Sequence, residues 1–80
     1  MAVELIDLNN YSVPDNAPRE IALSPKYVTD DNFVCGILTY YAAHQKTAIV
    51  SMSSCTAKKV ALRATVTQEY DIGIRLLYRP

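Results

Sequence analysis

Residues 58–80 read KKVALRATVTQEYDIGIRLLYRP, and this stretch contains two runs in which apolar and polar side chains alternate. Apolar side chains occupy every second position in residues 60–66 and again in residues 72–78. Alternation with a period of two is typical of a half-buried β-strand, and the short polar segment QEYD between the runs is typical of a turn. The stretch therefore predicts a C-terminal β-hairpin over about residues 59–79.

The polar side of this predicted hairpin carries arginines. A loop over residues 68–70 would place Arg63 directly opposite Arg75, whereas a loop over residues 69–71 would place Arg63 opposite Leu77. Like charges on directly opposed residues cost up to roughly 1 kcal/mol. We therefore expect the second register in the isolated chain, and the first would indicate an anion held between the two guanidinium groups.

Residues 29–46 are predicted to form a helix. An apolar stripe at helical spacing contains Phe33, Val34, Ile37, Leu38 and Tyr41. Asp30 and Asp31 would lie in the first turn and Lys46 in the last, where their charges complement the helix dipole. Gly36 and the aromatic and β-branched residues favour a strand instead. The stripe and the end charges are two independent signals, and together they favour the helix.

The rest of the chain predicts further strands. Val3–Leu8 has apolar residues on both faces, which is typical of a strand buried on both sides. Arg19–Ser24 and Thr47–Met52 alternate, and both are predicted to be strands. The sequence thus predicts an α+β fold, in which a small mixed or antiparallel sheet of about five strands carries one helix on one face. We expect residues 1–80 to form a single domain.

An all-β fold is the alternative. In that interpretation residues 29–46 contain a strand, and the chain forms a six-stranded meander with turns at Thr29–Asn32 and His44–Lys46. The sequence contains only two glycines. Tight turns favour glycine, so this composition argues mildly against the meander.

The composition indicates a surface that is partly apolar. Half of the 80 residues are hydrophobic. A chain of this size buries roughly 60% of the surface that it exposes when unfolded, so its own core is thin. We expect the excess apolar surface to be covered by another copy or by a partner, and a well-packed monomer is the alternative.

Localisation is predicted from what the sequence lacks. No apolar run reaches the roughly 18 residues of a membrane helix, and the N-terminus has no signal-peptide pattern. We expect a soluble, cytoplasmic protein without membrane contact. Cys35 and Cys55 are then expected to be buried thiols rather than a disulfide.

The charges are segregated although the formal net charge is zero. Acidic residues outnumber basic ones by six to two in residues 1–34, and basic residues outnumber acidic ones by five to two in residues 57–80. Such asymmetry indicates internal pairing of the two ends, head-to-tail pairing of copies, or a basic surface for an anionic ligand.

No motif of catalysis, metal binding or cofactor binding is present. His44, Cys35 and Cys55 have the side chains of catalytic residues but no local signature around them. Asp30 and Asp31 are adjacent and would diverge on a helix, so they are not expected to share an ion. We predict no catalytic residue, no metal, no cofactor and no enzymatic activity.

Two functions remain as hypotheses. The first is a small non-enzymatic protein–protein interaction or accessory protein that acts as a homo-oligomer, with Tyr40 and Tyr70 as partner contacts. The second is a binder of nucleic acid or of a phosphorylated small ligand through the basic face of the hairpin. The predicted anion- or partner-binding residues are Lys58, Lys59, Arg63, Arg75 and Arg79. Nucleic acid is the less favoured partner because the chain as a whole is not basic.

Overall fold

The computed structural model contains six β-strands and no helix, and it describes all 80 residues. The strands are β1 (Ala2–Val13), β2 (Arg19–Ala22), β3 (Phe33–Ala43), β4 (Val50–Cys55), β5 (Lys59–Ala64) and β6 (Gln68–Tyr78). They form two three-stranded antiparallel sheets. The first sheet has the order β1–β6–β3, and the second sheet has the order β2–β5–β4. No helix is therefore present that could span a membrane.

The two sheets pack face to face around one hydrophobic core. The central strands supply seven of its 15 buried residues, which are Val60, Leu62 and Ala64 of β5 and Tyr70, Ile72, Ile74 and Leu76 of β6. Alternate residues of a strand point to opposite faces of its sheet. Each sheet therefore has an inner face in the core and an outer face in solvent, as in other β-sandwiches.

The prediction of a C-terminal hairpin is wrong. β5 pairs with β2 and β4, whereas β6 pairs with β1 and β3, so the two strands belong to different sheets. The connecting residues are held by other parts of the chain: Thr65 N–H donates to the Ile49 carbonyl over 3.0 Å, and Asp15 N–H donates to Thr67 Oγ1 over 2.8 Å. The alternation of both strands was correctly read, but both apolar sides face a common core instead of lying side by side in one sheet.

The prediction of a helix over residues 29–46, and with it the α+β class, is also wrong. Thr29 and Asn32 close a turn, since Thr29 N–H donates to Asn32 Oδ1 over 2.7 Å and Asn32 N–H donates to Thr29 Oγ1 over 3.3 Å. β3 follows this turn directly. Its pairing with β6 shifts between Phe33 and Cys35 and again between Leu38 and Tyr40. Each irregularity adds one residue and changes the phase of the alternation. The apolar residues therefore recur at spacings of three and four, which resemble a helical stripe.

The all-β alternative is confirmed as the fold class. The strand count is six, and turns lie near residues 29–32 and 44–46 as that interpretation predicts. The connectivity differs from a meander, because no strand of the first sheet pairs with its neighbour in sequence.

Glu4 of β1 binds residues 26–28, which follow β2, to the first sheet. Its carboxylate accepts backbone hydrogen bonds from Lys26 (2.6 Å), Tyr27 (2.7 Å) and Val28 (3.2 Å). Burial raises the pKa of Glu4, but the three hydrogen bonds and the charge of Lys26 outweigh burial and hold its pKa below the ordinary value. This contact explains why an acidic residue occupies an inward position of β1.

Candidate interaction surface

The predicted basic residues do not share one face. Arg63 is exposed on the outer face of the second sheet, where it pairs with Ser51 of β4. Arg75 is exposed on the outer face of the first sheet, between Leu5 of β1 and Ile37 of β3. Because the core separates the two outer faces, these arginines emerge on opposite sides of the molecule, and neither predicted register exists.

The remaining predicted cations are dispersed as well. Lys58 Nζ lies 3.4 Å from Asp30 Oδ2, and Lys59 Nζ lies 3.3 Å from Glu20 Oε2. All four side chains are more than half exposed, so each pair contributes little to stability. Arg79 is exposed beyond the end of β6. The segregation of charge along the sequence thus corresponds in part to internal pairing of the two halves of the chain.

The two tyrosines predicted as partner contacts lie in different environments. Tyr70 is only 1% exposed, and its hydroxyl donates to the Val66 carbonyl. It is a core residue, so its ring is not accessible to a partner. Tyr40 is 46% exposed on the outer face of the first sheet.

This outer face is the largest feature that the sequence pattern did not predict. Val3 and Leu5, which were expected to be buried, are 52% and 54% exposed. The antiparallel register aligns them with other outward side chains of the same sheet. We call the resulting surface the apolar face; it consists of Val3, Leu5, Cys35, Ile37, Tyr40 and Leu77. The sequence contains no signal for this outer row, because the outward positions of β1 are apolar while the inward position between them is Glu4.

The apolar face is ordered in rows that run across the three strands. Val3, Leu77 and Cys35 form one row, and Leu5 and Ile37 flank Arg75 in the next. Arg75 forms no ion pair within the chain, since the ion pairs of the molecule involve only lysines. The face therefore presents aliphatic groups around one unpaired guanidinium group.

Tyr40 covers the sheet at the next row. A Cβ atom added to Gly73 would clash with the ring of Tyr40, so the ring rests directly on the glycine. The Tyr40 hydroxyl donates to Asp7 Oδ1 over 3.3 Å. Partial burial and the negative charge of Asp7 raise the pKa of Tyr40 above its ordinary value. The ring is thereby fixed flat on the face, with one side towards solvent.

Groups with catalytic or metal-binding chemistry do not converge elsewhere. A cleft of about 220 Å³ is lined by His44, Glu69 and Asp71 among others, and Asp71 Oδ1 accepts a hydrogen bond from the Asn10 backbone over 2.9 Å. No three His, Cys, Asp or Glu side chains lie close enough together to hold a metal ion. Burial and the neighbouring Cys35 raise the pKa of Cys55, which makes its thiol less reactive.

Comparison of the chain with models of protein families, with curated proteins and with solved structures finds no match.

Proposed function

We propose that the chain is a small non-enzymatic interaction protein that works as a homo-oligomer, and that the apolar face is its contact surface. The observation that supports this proposal most directly is the exposure of Leu5 and Ile37 on either side of Arg75, with Val3 in the adjacent row of the same sheet. Contiguous exposed apolar side chains on a small domain mark interaction sites.

The composition of the apolar face supports this proposal. Interfaces are enriched in aromatic residues and arginine and are depleted of lysine in their centres. The face carries Tyr40 and Arg75 near its middle, while Lys58 and Lys59 lie in the second sheet or beside it. We extend the proposal to a reducing cytoplasm, because Cys35 and Cys55 are present as free thiols.

The alternative function, binding of nucleic acid or a phosphorylated ligand, has no observation in its favour. It depends on a basic hairpin face, and the strands that were to form it lie in different sheets.

Sedimentation velocity of the wild type and of Leu5→Asp and Ile37→Asp tests the proposal. We expect the wild type to associate at micromolar concentration and both variants to be monomeric. Ile49→Asp is the matched control, because Ile49 is 57% exposed but lies outside the apolar face. A monomeric wild type, or equal association of all four proteins, would count against the proposal.

A further inference from the structure

The charges of the apolar face are arranged in order along the central strand. The outward-facing residues of β6 and the residue beyond it are, in sequence, Glu69, Asp71, Gly73, Arg75, Leu77 and Arg79. Asp7 of β1 lies beside Gly73 on the same face. One half of the face is therefore acidic, the other half is basic, and Gly73 lies between them.

This order constrains how a second copy can cover the face. If two faces packed with their β6 strands in the same direction, the acidic half would meet the acidic half and the basic half would meet the basic half. If the strands ran in opposite directions, each acidic half would meet a basic half. Complementary charge selects orientation and register at protein interfaces, and most homo-oligomers have two-fold symmetry.

We propose that two copies pack through their apolar faces with the β6 strands antiparallel, about a two-fold axis near Gly73. This inference rests on the proposed function and adds the orientation of the partner. Arg75, two residues to one side of Gly73, then meets Asp71 of the other copy, two residues to the other side, while Asp7 lies in the Gly73 row beside the axis. Tyr40, whose ring covers Gly73, lies close to the axis.

In the isolated chain, neither Arg75 nor Asp7 nor Asp71 forms an ion pair. Arg75 forms no ion pair of its own, and a charge buried in an interface is costly unless it is paired. Asp7 and Asp71 each use one carboxylate oxygen, for the Tyr40 hydroxyl and for the Asn10 backbone. The second oxygen of each carboxylate remains free to accept a guanidinium hydrogen bond from the other copy.

A charge exchange tests the orientation. Arg75→Glu reverses the charge of the arginine on the face, and the double variant Asp7→Lys with Asp71→Lys reverses the charges of the two carboxylates. Each protein alone is expected to associate about 100-fold more weakly than the wild type, because two symmetry-related charge pairs are lost at about tenfold each. An equimolar mixture is expected to regain a heterodimer in sedimentation velocity. Circular dichroism shows whether each variant is folded. If the double variant does not fold, Asp71→Lys alone takes its place, because Asp71 is the residue that the antiparallel register sets opposite Arg75.

Oxidative cross-linking of Cys35 gives an independent readout, in a Cys55→Ala background. Cys35 pairs with Leu77, which is four residues after Gly73 on β6. At roughly 3.3 Å per residue, Cys35 therefore lies about 13 Å from Gly73 along the strand direction. In the antiparallel arrangement the two Cys35 residues are about 26 Å apart along the strands, so no disulfide between copies forms.

The outcomes separate the two proposals. A monomeric wild type that is unaffected by Leu5→Asp overturns the proposed function. Two results would overturn only the antiparallel orientation. In the first, the wild type associates but the mixture of charge variants remains monomeric. In the second, the wild type associates and Cys35 cross-links rapidly and completely.

Discussion

Replacing Glu4 by Gln removes the contact that fastens residues 26–28 while nearly preserving the shape of the side chain. Two carboxylate oxygens receive three backbone N–H groups in the wild type. A glutamine offers one oxygen and an amide group that is itself a donor, so at least one N–H loses its acceptor.

The cost follows from the kind of hydrogen bond that is lost. A hydrogen bond to a charged group contributes about 1.5–3 kcal/mol when it is well buried. Glu4 is partly solvated, so we discount this range and expect Glu4→Gln to lower the free energy of unfolding by about 1–2 kcal/mol. For a domain of this size, each kcal/mol corresponds to a decrease of about 4–8 °C in Tm.

The pH dependence gives the prediction a second signature. The pKa of Glu4 is lower in the folded chain than its ordinary value of 4.5. Its contribution is therefore complete above pH 4.5, where the unfolded chain also carries the charge, and is lost as the pH falls through the lowered folded pKa. The wild type and Glu4→Gln should thus converge in stability in acid. Urea denaturation at pH 7 and at decreasing pH measures both effects.

Glu20→Gln is the matched control, because Glu20 forms only an exposed ion pair with Lys59. It should cost less than about 0.5 kcal/mol at pH 7. If Glu4→Gln were no more destabilising than Glu20→Gln, or if its effect persisted unchanged in acid, the carboxylate would not hold the segment as described.

Three further predictions test the packing. Ile74→Ala in the core should cost about 2–5 kcal/mol in urea denaturation, whereas Leu5→Ala on the apolar face should change the stability of the monomer by less than about 0.5 kcal/mol; similar costs would contradict the assignment of inner and outer faces. Gly73→Ala displaces the ring of Tyr40 and should cost about 1 kcal/mol, but it should be neutral in a Tyr40→Ala background, and additive effects in this double-mutant cycle would refute the contact. Tyr70→Phe removes the hydrogen bond that the hydroxyl donates to the Val66 carbonyl and the one that it accepts from Gln68 Nε2; it should cost about 1–2 kcal/mol at unchanged fold, and a stability equal to that of the wild type would exclude this role.

The sequence predicted strands where its alternation was undisturbed. β5 and β6 were recognised from their apolar positions, and these positions are the centre of the core. Their partners were not predictable in the same way. Two strands that pair within a sheet and two strands that face each other across a core have the same alternation, and only long-range packing distinguishes them. The assignment of Arg63 and Arg75 to one surface failed for this reason.

The errors in β3 and β1 have local causes. Two irregularities in β3 change the phase of its alternation and imitate a helical stripe, and residues 29–32 use polar groups typical of a helix start to close a turn. In β1, Glu4 points inward because backbone donors of a distant segment bind it. That contact cannot be read from residues 3–8 alone. The exposure of Val3 and Leu5, on which the candidate surface depends, therefore became evident only in the fold.

The most direct test of the central claim is a dilution series followed by methyl NMR. Covering of the apolar face predicts concentration-dependent chemical shifts for the methyl groups of Val3, Leu5, Ile37 and Leu77, while Ile49 remains constant. Methyl signals of these four residues that stay unchanged from micromolar to millimolar concentration, or changes confined to Ile49, would contradict the claim that this face binds another copy.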